Sequence, residues 1–469
     1  MKFSKSIILS LMTALSLTLP YVANATNGYF LIGFGAKSRA LGGTGVANNN
    51  GGMAAAFNPA TMIDSGTRFD VGAELFIPPR AVTNNSTVLG YTDERSNQDI
   101  FLIPSMGGTY QMNNKMALGF SFIGAGLKTE FDQSDNNRSC NRVNAGKAPG
   151  FAPGSCPPTF FNPNITVKPD KEVGVELVQM QLIPSIAYKV HKNHTIGASI
   201  VIAAQWFRSE GLEAFNDLGF TKTNGKLTGD VWDNTYGAGY RLGWLGNFMD
   251  ERLKVGVNYS SRVWMNEFKR YRNLFAENGD FDIPENYAIG FAFDATPAIT
   301  VALDVQRILW SDVKSVGNPG PAADAASVNA GNLFPLCPAG TDPTPCLLGG
   351  PKGLGFGWKD RTVYKIGVDW AYSEKINLRA GWNYSKTPIP KDQVLFNMLA
   401  PATPEHHLTF GGGYHFSDTL VLDVSAVIAF VNTVKGPTAF GPGGAPVDGS
   451  NASIAMGQYS FGGTLGFKF

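Results

Sequence analysis

The stretch Tyr459-Ser460-Phe461-Gly462-Gly463-Thr464-Leu465-Gly466-Phe467-Lys468-Phe469 decides the fold. Successive side chains of a strand point to opposite faces. Tyr459, Phe461, Leu465, Phe467 and Phe469 therefore share one face, and Ser460, Thr464 and Lys468 the other. A strand between lipid and a polar interior needs this alternation.

The pattern repeats upstream. Ile376, Leu378, Ala380, Trp382 and Tyr384 alternate with Asn377, Arg379, Gly381, Asn383 and Ser385. Leu253, Val255, Val257 and Tyr259 alternate with Lys254, Gly256, Asn258 and Ser260. Tyr287, Ile289, Phe291 and Phe293 form another such face, as do Leu408, Phe410, Tyr414 and Phe416. Charges keep to the polar-side positions, as the cost of Lys or Arg at the bilayer midplane requires. Segments of this kind begin near Arg68, Asp99, Met116, Val173, His194, Asn234, Arg252, Phe281, Ile299, Arg361, Lys375, Glu405, Thr419 and Tyr459. The expected fold is all-β, a transmembrane antiparallel barrel of about 14 strands, an even number as bacterial barrels prefer. Short links such as Tyr372-Ser373-Glu374 and Phe416-Ser417-Asp418 are expected to be periplasmic turns. Long links around 132–170 and 316–357 are expected to be extracellular loops.

Composition agrees. Hydrophobic residues make up 43% of the chain and charged ones only 16%, below the ~25% charge of soluble domains. A net charge of +1 gives no reason to invoke nucleic acid. The terminal Phe469 resembles the signal read by the outer-membrane assembly machinery. Lys2 and Lys5, the apolar run Ile7 to Leu19, Pro20 and then Ala23-Asn24-Ala25 follow the order of a secretory signal peptide, 1–25. The run is shorter than the ~20 residues of a spanning helix.

Export places Cys140, Cys156, Cys337 and Cys346 in an oxidising compartment. Local pairing, Cys140 with Cys156 and Cys337 with Cys346, is the simplest of the three connectivities four cysteines allow. No Cys-x-x-Cys spacing suggests a metal, and no cofactor is expected. No Gly-x-Ser-x-Gly occurs, and His191, His194, His406, His407 and His415 form no catalytic pattern, so an enzyme is not expected.

Residues 26–67 do not alternate. Gly28, Gly33, Gly35, Gly42, Gly43, Gly45, Gly51 and Gly52 punctuate them, and Asn58-Pro59-Ala60 follows a run of small residues. The block is too short for its own core but suits the inside of a barrel, where it would be a plug ahead of a barrel spanning 68–469.

Ser38-Arg39-Ala40-Leu41-Gly42-Gly43-Thr44-Gly45 followed by Asn58-Pro59-Ala60 resembles the N-terminal hatch of the FadL family of outer-membrane fatty-acid transporters, which includes TodX-like hydrocarbon carriers. Gly126-Leu127-Lys128-Thr129-Glu130-Phe131, Pro284-Glu285-Asn286-Tyr287, Trp310-Ser311-Asp312, Trp358-Lys359-Asp360 and Ser385-Lys386-Thr387-Pro388 resemble family segments in the same order. The Pro-rich, cysteine-bearing loops depart from the best-known members.

The resemblance implies capture of a hydrophobic ligand in an apolar groove, transfer to a pocket at the hatch, and lateral release through a kinked third strand. Gly124 and Gly126 suit that kink. Long-chain fatty acid is the expected cargo, with Arg208 and Lys352 as carboxylate partners and Phe30 as a pocket wall. Neutral aromatic or alkane hydrocarbon is the alternative, and a general diffusion porin the next. The expected surroundings are outer-membrane lipid and lipopolysaccharide, and the expected state is a monomer.

Overall fold

The computed structural model describes residues 27–86, 90–97, 100–132, 172–212, 215, 220–321, 334–337, 340–437 and 451–469. The signal-peptide reading and the Cys140–Cys156 pairing lie outside the described residues.

Among the described residues the chain forms one antiparallel sheet. Its strands are β1 (Arg68–Ile77), β2 (Arg80–Ser86), β3 (Gly90–Arg95), β4 (Phe101–Asn113), β5 (Met116–Asp132), β6 (Glu172–His191), β7 (His194–Glu210), β8 (Asp233–Phe248) and β9 (Leu253–Ser260). They continue with β10 (Trp264–Met265), β11 (Asn286–Thr296), β12 (Ile299–Ile308), β13 (Arg361–Ala371), β14 (Ile376–Tyr384), β15 (His406–His415), β16 (Leu420–Pro437) and β17 (Asn451–Lys468). β1 pairs with both β4 and β17, which closes the sheet, Arg68 opposite Lys468. Fourteen strands form the closed barrel, and closure leaves no strand of it without a partner on either side, as lipid surroundings require. The β2–β3 hairpin extends β1 outward and pairs with the upper half of β17, and the short β10 pairs with β8.

The alternation read from sequence is the exposure pattern. Tyr459, Phe461, Leu465 and Phe467 are exposed, as are Leu378, Trp382, Tyr287, Ile289, Phe410 and Tyr414. Ser460, Thr464, Arg379, Asn383 and Asn258 are buried. Exposed apolar side chains ring the outside and polar ones line the inside, the reverse of a soluble domain. Two strand starts differ from expectation. Phe281 is buried in a loop rather than opening a strand, because Pro284 cannot donate to a ladder and β11 begins only at Asn286. β17 starts at Asn451 rather than Tyr459, because β2 supplies partners for Asn451 to Met456.

The links 114–115, 192–193, 249–252, 297–298, 372–375 and 416–419 lie at one end of the barrel, with the start of β1 and the end of β17. The long links, 211–232, 261–285, 309–360 and 385–405, lie at the other. Cys337 and Cys346 are joined in the longest of these, with Cys346 buried.

Candidate transport route through the lumen

Residues 27–67 contact strands around the whole circumference, which only a segment inside the barrel can do. Their short helices, Gly35–Ala40, Gly51–Ala56 and Pro59–Asp64, are almost wholly buried. Gly45 and Val46 N–H donate to Asp304 on β12 at 2.7 and 3.2 Å. Gly42 N–H donates to Thr409 on β15 at 2.9 Å, and Ala36 N–H to Thr464 on β17 at 3.0 Å. Gly52 N–H donates to Asp70 on β1 at 2.9 Å. Two buried lumen cations hold backbone carbonyls: Lys365 Nζ reaches Ile32 O at 3.0 Å and Gly43 O at 3.3 Å, and Arg241 Nη1 reaches Ala55 O at 3.1 Å and also Ala56 O. Each bond satisfies a carbonyl or amide that the segment's irregular backbone would leave unmet.

Asn58-Pro59-Ala60 shows how tight the fit is. Asn58 Oδ1 accepts the Ala60 N–H at 3.0 Å, which caps the turn, with Pro59 at the first helical position. Asn58 Nδ2 donates to Val46 O at 2.8 Å and to Trp244 O on β8 at 3.0 Å. Gly197 on β7 and Gly243 on β8 leave room for the motif. A Cβ at Gly243 would stand 1.9 Å from Asn58 Oδ1, and one at Gly197 2.4 Å from Ala60 N.

At the long-loop end the segment starts in an aromatic clamp. Tyr29 packs on Trp310 at 4.9 Å, Phe30 packs on Trp310 at 4.9 Å, and Trp310 meets Trp358 at 5.1 Å. Ser311 donates twice to Asp360, through N–H at 3.0 Å and Oγ at 2.8 Å, tying the two Trp motifs together. Burial pushes the Tyr29 phenol well above its ordinary pKa, and the Asp282 carboxylate adds to this. In the 261–285 loop nearby, Asp280 is pushed up to about 7, first by burial and then by its neighbour Asp282.

Four cavities lie along β5. Among the loops one of about 50 Å³ is lined by Leu177, Phe207, Phe215, Phe281, Leu354 and Phe396 with no charged side chain. A second, about 20 Å³, shares Leu127 and Ala400 with it. A third, about 80 Å³, lies above the N-terminal segment and is lined by Phe30, Phe34, Ile123, Ala125, Arg241, Asp304 and Lys365 among others. A fourth, about 10 Å³, adjoins it through Leu31, Phe34 and Ile123 and reaches Gly124 and Pro104 in the wall. Side chains from Ile123 to Thr129 thus line the whole series.

That stretch is where the wall changes. β5 pairs with β6 without interruption from Met116 to Asp132. Against β4 its ladder runs from Asn113↔Met116 only to Ser105↔Ile123. The next pair would be Pro104 with Gly124. Pro104 has no N–H to donate and Gly124 brings no side chain, and a Cβ at Gly124 would find nothing nearer than 3.9 Å. Pro104 was not visible as a signal in the sequence reading, because its importance depends on which residue faces it.

Phe30 is half-buried and lines the third cavity. Arg208 does not. It pairs with Glu176 at 2.7 Å and Asp230 at 2.7 Å and covers Trp232 at 4.9 Å, lining none of the four cavities. Lys352 sits exposed on its loop, also off the route. The cations that do line the cavities are Arg80 at the second, Arg241 and Lys365 at the third and Arg39 at the fourth, and those on strands have an inward face that becomes known only with the register.

Residues 168–440, more than half the chain, match the family described as outer membrane protein transport protein (OMPP1/FadL/TodX). The chain belongs to that family. A protein of Neisseria meningitidis serogroup B named as an outer membrane protein is 26% identical over 243 residues, covering 48% of this chain and 49% of that protein. The chain thus spans about half the length of this relative. Among solved structures, the toluene transporter TodX of Pseudomonas putida superposes with a TM-score of 0.63 at 17% identity, covering 94% of this chain and 99% of that one. The toluene transporter TbuX of Ralstonia pickettii gives 0.59 at 18%, with 94% and 99% covered. A Pseudomonas aeruginosa FadL homologue gives 0.63 at 13%, with 94% and 100% covered. At these identities the likeness is one of fold. As a family member with an exposed apolar belt, the FadL/TodX-type barrel resides in the outer membrane.

Proposed function

We propose that this barrel takes up hydrophobic compounds from outside the cell and passes them sideways into the outer membrane, with long-chain fatty acids as the cargo. The observation that carries this reading is the series of cavities along β5. It leads from an uncharged, aromatic cavity among the outer loops to the place where β4 and β5 part. An alkyl chain enters by its apolar surface, worth about 0.8 kcal/mol per buried CH₂. The Asn58-Pro59-Ala60 turn, docked against Gly197 and Gly243, holds the hatch 26–67 in the lumen. That arrangement disfavours the general porin, which needs an open lumen.

Arg241 and Lys365 favour an acid over a hydrocarbon, because both line the third cavity with their hydrogen bonds given to backbone carbonyls of the hatch, and one carboxylate, Asp304, faces the two cations. A carboxylate offers such cations a stronger, charge-assisted partner. The uncharged lining of the outer cavity favours the second reading, a neutral hydrocarbon.

Displacement of a polarity-sensitive fluorescent probe from the purified barrel in detergent decides between them. Hexadecanoate should displace it more strongly than hexadecane. Lys365→Met should erase that preference, and Arg208→Ala and Lys352→Ala should leave it intact. Equal displacement by acid and alkane in the wild type overturns the fatty-acid reading in favour of the hydrocarbon. No displacement by either overturns hydrophobic uptake itself.

A further inference from the structure

The fourth cavity contains a charged pair with no role in what has been described so far. Arg39, on the hatch helix, and Glu74, on β1, are bonded through Arg39 Nε and Glu74 Oε2. Arg39 is 2% exposed and Glu74 6%. A pair with both members this deep carries a desolvation cost that geometry alone repays only if the remaining polar atoms are also met. They are not. Arg39 Nη1 and Nη2 have no hydrogen-bond partner, and Glu74 Oε1 has beside it only the Ser460 hydroxyl, which makes no bond of good geometry to it. Two donors and one acceptor therefore stand side by side, buried and unanswered, in a cavity that also touches Pro104 and Gly124 at the parting of β4 and β5. Unmet buried groups of this kind call for an explanation.

The pair is already neutral as a unit. A carboxylate placed there would add one uncompensated negative charge to a buried site. A group that accepts from Arg39 and donates to Glu74 adds none. A protonated carboxyl does this with its C=O and O–H, and a primary alcohol does it with one oxygen. The rest of the cavity wall carries the hydroxyls of Ser105 and Thr464 and is otherwise apolar or glycine, with Leu31, Phe34, Ile103 and Ile123 placed to receive the adjoining methylenes. We propose that Arg39 and Glu74 form an exit-side station for the polar end of the cargo. It takes that end in an uncharged form that both donates and accepts a hydrogen bond, immediately before the molecule leaves between β4 and β5.

This inference rests on the hydrophobic-uptake reading above and deepens it. Arg241 and Lys365, deeper in the lumen, suit a charged carboxylate; Arg39 with Glu74 suits the neutral acid, the form that partitions into lipid. The cavity of about 10 Å³ has room for one water molecule at most. An occupant therefore requires the hatch residues Leu31 and Phe34 to shift, which couples arrival at the station to movement of the hatch.

Hexadecan-1-ol and its methyl ether separate the station from general hydrophobicity. The two share a chain, but the ether can only accept. In the probe-displacement assay the alcohol should bind about tenfold better than the ether, the worth of one well-placed hydrogen bond to a charged group. Arg39→Met with Glu74→Met removes both charges together and should make alcohol and ether equal. Glu74→Gln leaves Arg39 without its counter-charge, so hexadecanoate should gain on the alcohol by about tenfold. If the double variant does not fold, judged by its heat-shift on gels, Glu74→Gln still reads the site. Equal binding of alcohol and ether to the wild type overturns the station, as does a preference that survives the double variant or an acid-to-alcohol ratio unmoved by Glu74→Gln. Failure of alcohol, ether and hexadecane alike is a different result, and it overturns the uptake reading instead.

Discussion

One strand, β5, has two unlike edges. On the β6 side every residue from Met116 to Asp132 has a register partner. On the β4 side pairing stops at Ile123, and beyond it β5 is met on that side by residues outside β4, with Asn97 N–H donating to Glu130 O at 2.9 Å and Arg80 of β2 donating to Lys128 O. β5 itself does not break. Its neighbour leaves it, since Phe101 to Pro104 stay with β1. An opening in a barrel wall thus needs no broken strand, only one neighbour that follows its other partner. The backbone groups freed this way are costly in lipid, which explains why an arginine is placed over one of the carbonyls.

The largest effect should come from erasing the difference between the edges. Pro104→Cys with Gly124→Cys places two thiols across the parting. Once oxidised, the variant should lose most transfer of ligand into vesicle lipid and regain it on reduction, while still binding ligand in detergent. Undiminished transfer by the verified cross-linked form would mean that the ligand leaves elsewhere.

A second contrast lies between the hatch's tight dock at Asn58 and its under-satisfied side at Arg39. Gly243→Val drives side-chain atoms into Asn58 Oδ1, and overpacking of this sort costs roughly 1–3 kcal/mol. The hatch should loosen while the barrel stays closed. Ion conductance in planar bilayers should rise with the heat-resistance of the barrel unchanged. Wild-type conductance would show that the dock does not keep the lumen shut.

The smallest effect concerns the 261–285 loop. The Asp280 carboxyl is raised in the folded loop to about 7 from an ordinary 3.8. The folded form therefore binds the proton more tightly, and its stabilising contribution is full below about pH 4 and lost as pH rises through about 7. Limited proteolysis of the loop should be faster at pH 8 than at pH 5, and Asp280→Asn should flatten the difference. A pH-dependence that survives in the variant would place its origin in another group.

What the sequence made legible follows from period. Leu378 and Trp382 outside with Arg379 and Asn383 inside needed only alternation, and so did most strand starts. The Asn58-Pro59-Ala60 turn was readable because its cap is local. The ion pair of Arg208 was not readable because its partner, Glu176, faces it across the β6–β7 ladder, which no spacing within one strand reveals. Pro104 opposite Gly124, Arg39 beside Glu74, and Trp310 against Trp358 were illegible for the same reason. Each is a pair whose members are far apart in sequence and meet only through register.

The hatch's bonds also impose an order on assembly. Ala36 bonds Thr464 across a sequence separation of 428, Gly42 bonds Thr409 across 367, and Gly45 bonds Asp304 across 259. No subset of early strands presents these partners. Residues 36–45 must therefore wait for the last strands to make these bonds, in the manner of high-contact-order folds, where closure comes before reward. The segment that fills the barrel is thus made before the strands that hold it.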